Sequence, residues 1–356
     1  MTERVVAADE IDDEDRAGEV ELRPRRLADF VGQRRLREQL GITLEAARGR
    51  GEPLDHILLF GPPGLGKTTL AQIIANEMGV GFRPTSGPAV EHQGMLASIL
   101  TGLERGDVLF IDEIHRLARP VEEALYPAME DRVFDYVAGK GAGAQTLQLR
   151  LQHFTLIGAT TRAGVLGGPL RDRFGVTHRL DFYEDDELAS IIRRGAEILG
   201  VGIDEEGAAT LALRARGTPR VALRLLRRAR DFAQVRGGGR IDAATALRAL
   251  AVLGIDDRGL DEMDRSVLRV LCTAYRGRPV GLQTLAVSVS EDPDTVEDVV
   301  EPYLMRLGLL ARTATGRLAT AGAYRLLGME PPRGVPGASD GDDVAPGSQE
   351  RLPGLG

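Results

Sequence analysis

Through the first half of this chain, short and almost purely apolar runs alternate with stretches whose apolar positions recur every three or four residues. The runs are Ile57-Leu-Leu-Phe60, Val108-Leu-Phe-Ile111 and Phe154-Thr-Leu-Ile157. Their lack of polar alternation marks strands covered on both faces. Between them lie helical patterns such as Thr69-Leu-Ala-Gln-Ile-Ile-Ala-Asn76. Strand and helix in alternation build parallel βαβ units, so residues 21–183 are expected to form an α/β core, a parallel sheet with flanking helices. From Asp185 to Leu253 the helical period continues, broken at Gly200 and at Gly217-Thr-Pro219. That predicts a small all-α domain over 184–254. A third unit over 255–330 reads as helix Asp261–Tyr275, a shorter helix near Leu282–Val289 and a long one from Pro293 to Leu307. Leu309-Leu-Ala-Arg-Thr313 and Arg317-Leu-Ala-Thr320 follow, around a turn at Gly316. Three helices closed by a hairpin predict a winged helix.

Elsewhere the pattern weakens or changes period. Residues 1–20 are dense in Asp and Glu, and 331–356 carry Pro, Gly, Ser and Asp with little to bury. Both ends are expected to be disordered. Between Phe134 and Phe154 the period becomes two: Thr146-Leu-Gln-Leu-Arg-Leu151 follows the glycine-rich turn Ala138-Gly-Lys-Gly-Ala-Gly-Ala144. This predicts a β-hairpin beyond the core sheet whose apolar face carries Leu147, Leu149 and Leu151. Such a face either packs on its own domain or docks a partner.

Composition narrows the class. The 356 residues suffice for two or three domains. No apolar stretch approaches the ~20 residues of a membrane span, and the N-terminus lacks an apolar signal core, so a cytoplasmic protein is expected. A lone Cys272 excludes disulfides within one chain and a cysteine-based zinc site. The net charge of −8 argues against wholesale coating of nucleic acid but leaves room for a local basic patch.

Only two of the 45 Lys and Arg residues are lysine, and one of them, Lys67, lies in Gly61-Pro-Pro-Gly-Leu-Gly-Lys-Thr68. A strand before this segment and a helix after it are the context of a phosphate-binding P-loop. Backbone N–H groups curl around the β-phosphate and the helix N-terminus adds positive potential. Lys67 would reach the β/γ-phosphates as a point charge, and Thr68 would offer its hydroxyl to Mg²⁺. About forty-five residues on, Val108-Leu-Phe-Ile-Asp-Glu113 is an apolar strand ending in two acids. There Asp112 would hold Mg²⁺ through water and Glu113 would polarise the attacking water as general base. Phe154–Thr161 ends in hydroxyls, which places Thr160 or Thr161 beside the γ-phosphate. Arg171 and Arg173 in Leu170-Arg-Asp-Arg-Phe174 should stand on an exposed turn. Arg220 opens the helix Val221–Asp231, where the macrodipole disfavours a cation unless an anion answers it, and a phosphate would be that anion.

In the third unit the long helix carries Asp292, Asp294, Glu297, Asp298 and Glu301. Phosphates would repel it, so it should not enter a major groove. On the hairpin, Arg312 and Arg317 flank Thr313-Ala-Thr-Gly316 as two unopposed guanidiniums with no acid nearby. That wing is the expected DNA contact, made to phosphates and blind to base sequence. The arginine-rich helix Ala222–Gln234 is assigned instead to contacts between domains and subunits, because Arg220 ties it to the nucleotide.

Arg23-Pro24 with Phe30-Val-Gly-Gln33, the P-loop, the Asp112-Glu113 strand, Gly158-Ala-Thr-Thr-Arg-Ala-Gly164, Leu170-Arg-Asp-Arg-Phe-Gly175 and Arg216-Gly-Thr-Pro-Arg220 together resemble the RuvB family. These are the AAA+ motors that drive branch migration of Holliday junctions in bacteria. The likeness runs from about Arg23 to Gly328. It implies an AAA+ core, a helical lid and a C-terminal winged helix, with ATP and Mg²⁺ as cofactors. Leu22, Arg23 and Tyr183 would border the adenine, and Gly64, Lys67, Thr68 and Thr69 would hold the phosphates and metal. Thr160 or Thr161 would be the first sensor and Arg220 the second. Arg173 would be an arginine finger acting in the neighbouring subunit's site, with Glu130, Asp131 and Arg132 at a nucleotide-contacting interface. A finger acting in trans requires a ring, by resemblance a homohexamer on duplex DNA at Holliday junctions. The hairpin, through Leu147 and Leu149, would dock RuvA, with the resolvase RuvC in the same complex.

Two other AAA+ classes fit less well. Unfoldases usually grip polypeptide with an aromatic pore loop, and Ser86-Gly-Pro-Ala-Val-Glu-His-Gln-Gly94 has no aromatic residue. Clamp loaders carry a Ser-Arg-Cys finger, absent here, and a collar that is not a winged helix. A nucleotide switch without turnover would not need the base Glu113.

Overall fold

The computed structural model describes residues 21–138 and 145–338. The disorder expected of 1–20 and 339–356, and the turn at 139–144, lie outside the described residues. The chain forms two compact units, one ending at Asp261 and the other beginning at Glu262.

In the first unit the strands are β1 (Ile57–Phe60), β2 (Phe82–Ser86), β3 (Val108–Asp112), β4 (Val133–Ala138), β5 (Gln145–Arg150), β6 (Thr155–Thr160) and β7 (Val176–Arg179). Five of them make a parallel sheet in the order β2-β3-β6-β1-β7. The three strands legible as apolar runs occupy its middle, where both faces are covered. The edges β2 and β7 escaped the sequence analysis because Phe82-Arg-Pro-Thr-Ser86 and Val176-Thr-His-Arg179 are half exposed and read as polar. Pro84 is tolerable only because its strand is an edge. Phe60 stands level with Thr160 and Ile111 with Gly158, so the carboxyl ends of β1, β3 and β6 open on one rim. Ligands of open parallel sheets bind at such a rim.

The hairpin β4/β5 is a separate sheet, as its period implied. Its apolar face is divided. Phe134 is fully buried opposite Leu149, and Leu149 and Leu151 pack against the core, whereas Leu147 and its cross-strand neighbour Tyr136 are 49% and 37% exposed. Leu149 is therefore chiefly a core residue, and the surface face of the hairpin consists of Leu147 and Tyr136.

The same unit continues with helices Asp185–Ile198, Glu205–Ala212, Pro219–Arg236 and Ala243–Val252. Two strands, β8 (Gly202–Ile203) and β9 (Arg240–Ile241), pair in parallel between them. They are too short to leave a periodic signal.

The second unit has helix Glu262–Val270 running on through a π turn at Leu271–Tyr275, then helix Leu282–Val289. The expected long helix runs without interruption through Pro293–Thr295, a π segment Val296–Val300 and Glu301–Arg306. The wing is β10 (Leu310–Thr313) and β11 (Gly316–Ala319), with Ala314 and Thr315 as the turn. Gly316 therefore lies in a strand, not in the turn as expected. It is needed for a close approach: Val280 and Arg317 exchange two backbone hydrogen bonds of 2.8 Å, and a Cβ on Gly316 would lie 2.4 Å from the Val280 carbonyl oxygen. Residues 331–338, expected to be disordered, are instead ordered. Val335 is buried and the Ala321 N–H donates to the Pro336 carbonyl at 2.9 Å, so residues 331–338 pack on this unit. One valine among prolines and glycines leaves no pattern to read.

Gly316 has φ 145°, so Gly316→Ala adds backbone strain to the overlap with Val280. The second unit should lose about 2–4 kcal/mol of stability. Urea unfolding followed by circular dichroism reads this directly, and an unchanged midpoint would show that the close approach is dispensable.

Candidate nucleotide site and wing

The helix Lys67–Met78 starts where the loop after β1 ends, so its unpaired N–H groups open on the sheet rim. Lys67 is buried, and its ammonium donates to the Gly61 and Pro62 carbonyls at 2.8 and 2.9 Å. A buried ammonium on the loop that opens a helix N-terminus suits an anion entering that loop. Thr69 is half-buried in the first helical turn. The Thr68 hydroxyl lies 3.4 Å from Asp112 Oδ2, and Asp112 Oδ1 accepts the Glu113 N–H at 2.9 Å. A hydroxyl and a carboxylate this close are hard oxygen donors that suit Mg²⁺ shared with phosphates. Glu113 takes a left-handed φ of 47°, and its carboxylate pairs with Arg116 at 3.2 Å.

The two threonines that the sequence left open differ in their surroundings. Thr160 is buried, accepts the Arg162 N–H at 3.0 Å and meets His115 Nδ1 at 2.9 Å. It braces β6 against the turn after β3. Thr161, just beyond the strand end, is half-buried. His115 itself was missed, since a histidine two residues past Glu113 has no periodic signature.

Of the residues expected to form the adenine wall, Tyr183 is buried, with its hydroxyl donating to the Leu65 carbonyl at 3.3 Å and its N–H to Gly217 O at 2.9 Å. Burial holds its phenol well above the usual range, so it stays neutral. Leu22 is buried, its carbonyl accepts Arg194 Nη1 at 3.4 Å, and Arg23 beside it is half-buried. Gln33 clamps this wall by exchanging two hydrogen bonds with the Asp181 backbone, at 2.6 and 3.1 Å. The sequence singled out its motif but not this role.

Thr218 caps the helix Pro219–Arg236, which carries Arg220 in its first turn. The Arg220 N–H donates to Gly64 O at 3.3 Å, and a Cβ on Gly64 would lie 3.1 Å from Arg220 Cβ. Gly64 has φ 79°, so both its conformation and its neighbour require glycine. Among the described residues no ion pair joins the Arg220 guanidinium to a carboxylate.

Arg173 lies elsewhere. Its guanidinium pairs with Glu130 at 3.2 Å, donates to Pro169 O at 2.6 Å and stacks 4.3 Å from the centre of the Tyr126 ring. Tyr126 in turn donates to Glu122 at 2.8 Å, and burial first, then this bond, pushes its phenol up to about 12. Glu130 thus holds Arg173, Asp131 and Arg132 are exposed, and Arg171 donates to Leu166 O at 3.1 Å.

The wing corrects an expectation. Arg312 and Arg317 are not unopposed, because the acidic helix passes directly behind them. Arg317 is 8% exposed and bonded to Glu301 and, at 3.3 Å, to Glu297. Arg312 is half exposed and pairs with Glu297 at 2.7 Å. Burial raises the Glu301 carboxyl and Arg317 opposes that rise. Arg317 is therefore a strut inside the unit, while Arg312 keeps a surface position. Residues sixteen and twenty apart meet only in three dimensions.

The family described as the P-loop domain of the Holliday junction DNA helicase RuvB matches residues 22–180. The RuvB AAA lid domain matches 183–256 and the RuvB C-terminal winged helix domain 257–328. The Holliday junction branch migration complex subunit RuvB of Dehalococcoides mccartyi is 59% identical over 308 residues, 86% of this chain and 88% of that protein. The Thermotoga maritima RuvB Holliday junction branch migration motor superposes with a TM-score of 0.81 at 51% identity, over 88% of this chain and 100% of its own. A point mutant of that protein gives 0.82 at 50%, over 87% and 100%. With three successive domains matched and half or more of the residues shared with these relatives, the chain belongs to the RuvB family.

Proposed function

We propose that the chain is the ATP-driven DNA motor of a branch-migration complex, working as a homohexameric ring on the duplex arms of a Holliday junction bound by RuvA. The observation that carries this is the convergence of Lys67, Thr68, Asp112, Glu113, Thr161 and Arg220 on one sheet rim. ATP is the nucleotide and Mg²⁺ its counter-ion, which when bound neutralises phosphate charge. Thr68 and Asp112 hold the ion. Lys67 exchanges the Gly61 and Pro62 carbonyls for phosphate oxygens. Glu113, once its carboxylate leaves Arg116, takes the proton of the attacking water. Thr161 is the hydroxyl sensor, and Arg220 carries the lid towards the phosphates.

Arg173 completes hydrolysis in the neighbouring subunit. Its engagement by Glu130 and Tyr126 supports this reading, since both lie outside the P-loop and a neighbour's nucleotide can compete for the guanidinium. The exposed pair Leu147 and Tyr136 supports RuvA docking at the outer half of the hairpin. Arg312 and the wing turn contact DNA phosphates, and Arg317 sets the wing's position. RuvC shares the complex, in the cytoplasm; none of the described helices is long and apolar enough to cross a membrane.

Three measurements test this. Lys67→Ala should lose nucleotide binding, whereas Glu113→Gln should bind ATP and slow turnover by about 10²–10⁴. Affinity measured beside steady-state hydrolysis decides, and parental turnover in Glu113→Gln would remove it as base. Arg173→Ala should lower hydrolysis by about 10³–10⁵, yet mixing it with Lys67→Ala should restore activity at mixed interfaces. Mixed rings as inactive as either parent would sink the in-trans finger.

The wing variants should part company. Arg312→Ala should lower the slope of log affinity against log salt by about 0.9, equally on two unrelated duplexes. Arg317→Ala should instead destabilise the second unit by about 3–5 kcal/mol by leaving Glu301 buried without its partner. Salt titrations and thermal unfolding read the two effects, and a stable Arg317→Ala with a lowered salt slope would return Arg317 to the DNA.

A further inference from the structure

Arg216 immediately precedes the turn that places Arg220, and its guanidinium bonds to the segment that ends the first unit. It is 4% exposed and holds a left-handed φ of 57°. An L residue keeps that conformation only where its surroundings fix it. Its Nε donates to the Gly259 carbonyl at 3.1 Å and its Nη2 lies 3.4 Å from Asp261, which is 7% exposed. The segment it grips is closed on itself. Asp256 Oδ1 accepts the N–H groups of Arg258 and Leu260 at 3.0 and 2.8 Å, and the Asp256 N–H donates to Leu260 O at 3.1 Å. Arg214 adds a pair with Asp257 at 3.3 Å.

The other side of the turn is tied to the nucleotide pocket. Gly217 O accepts the Tyr183 N–H at 2.9 Å, and the Arg220 N–H donates to Gly64 O at 3.3 Å. Five residues, Arg216 to Arg220, therefore span from the P-loop and the base wall to the segment that ends at Asp261, after which the second unit begins. A buried ion pair is a poor source of stability compared with apolar packing, but it fixes geometry.

We propose that Arg216 and Asp261 are positioning residues that couple the nucleotide pocket to the segment entering the winged-helix unit, so that movement of the Arg220 turn on hydrolysis is delivered to the DNA-binding end. This rests on the motor reading above. When the turn shifts, the rigid 256–261 segment must follow it, because Arg216 grips that segment by both a backbone carbonyl and a carboxylate.

The test uses the full chain with RuvA on a synthetic four-way junction and measures ATP hydrolysed per base pair migrated. Asp261→Asn should keep nucleotide affinity and basal hydrolysis while raising that ratio by about fivefold. An unchanged ratio overturns the proposal, and so does a fall in nucleotide affinity, which would make the pair a mere support of the pocket. Should Asp261→Asn fail to fold, Arg216→Met with Asp261→Leu removes both charges and keeps apolar volume, a change that buried pairs tolerate. A folded double variant that hydrolyses ATP without migrating DNA supports the tie, and one that migrates at the parental ratio overturns it. A parental chain whose hydrolysis is not linked to migration at all would overturn the motor reading, and this inference with it.

Discussion

The parallel register of β1, β3 and β6 is the constraint on which the nucleotide site depends. Because both faces of these strands are covered, their residues must be apolar, and because they run parallel, their chemistry-bearing ends open on one rim. Phe60 lies level with Thr160, and the Thr68 hydroxyl at the start of the P-loop helix comes within 3.4 Å of the Asp112 carboxylate. No side-chain contact could assemble this set with comparable precision. The backbone ladder does so before any polar residue is placed.

Arginine does most of the remaining positioning, in three settings. Arg317 is sealed behind the wing by Glu301 and Glu297, Arg173 is held by Glu130 over the Tyr126 ring, and Arg220 stands at a helix start with no carboxylate partner among the described residues. Burial and the nearest acid decide which of these settings the same side chain takes. Guanidinium suits all three, since it keeps its charge when buried and its fork bonds two acceptors at once.

The hairpin shows the same dependence on depth along a single face. Leu149 and Leu147 are equivalent in the alternating pattern, yet one packs with Phe134 in the core and the other stands at the surface beside Tyr136. Period assigns a face, but the distance from the core decides whether that face is packing or docking surface.

By itself the sequence determined the inner strands, the P-loop, the acids after β3, the helical lid and the three-helix plan of the last unit. Each is local: an apolar run, a fixed spacing or a helical period records the physics of neighbouring residues. It could not show the edge strands, whose half-exposed residues read as loop. Nor could it show which threonine is spent on His115, that Gly316 serves Val280 and not a turn, or that Val335 anchors the tail. Above all it presented Arg317 as a free cation, because nothing in the order of residues says that Glu301 lies against it. Such pairings belong to the tertiary structure alone: a charge's partner is set by distance and dielectric in the folded chain, and neither is recorded in sequence separation.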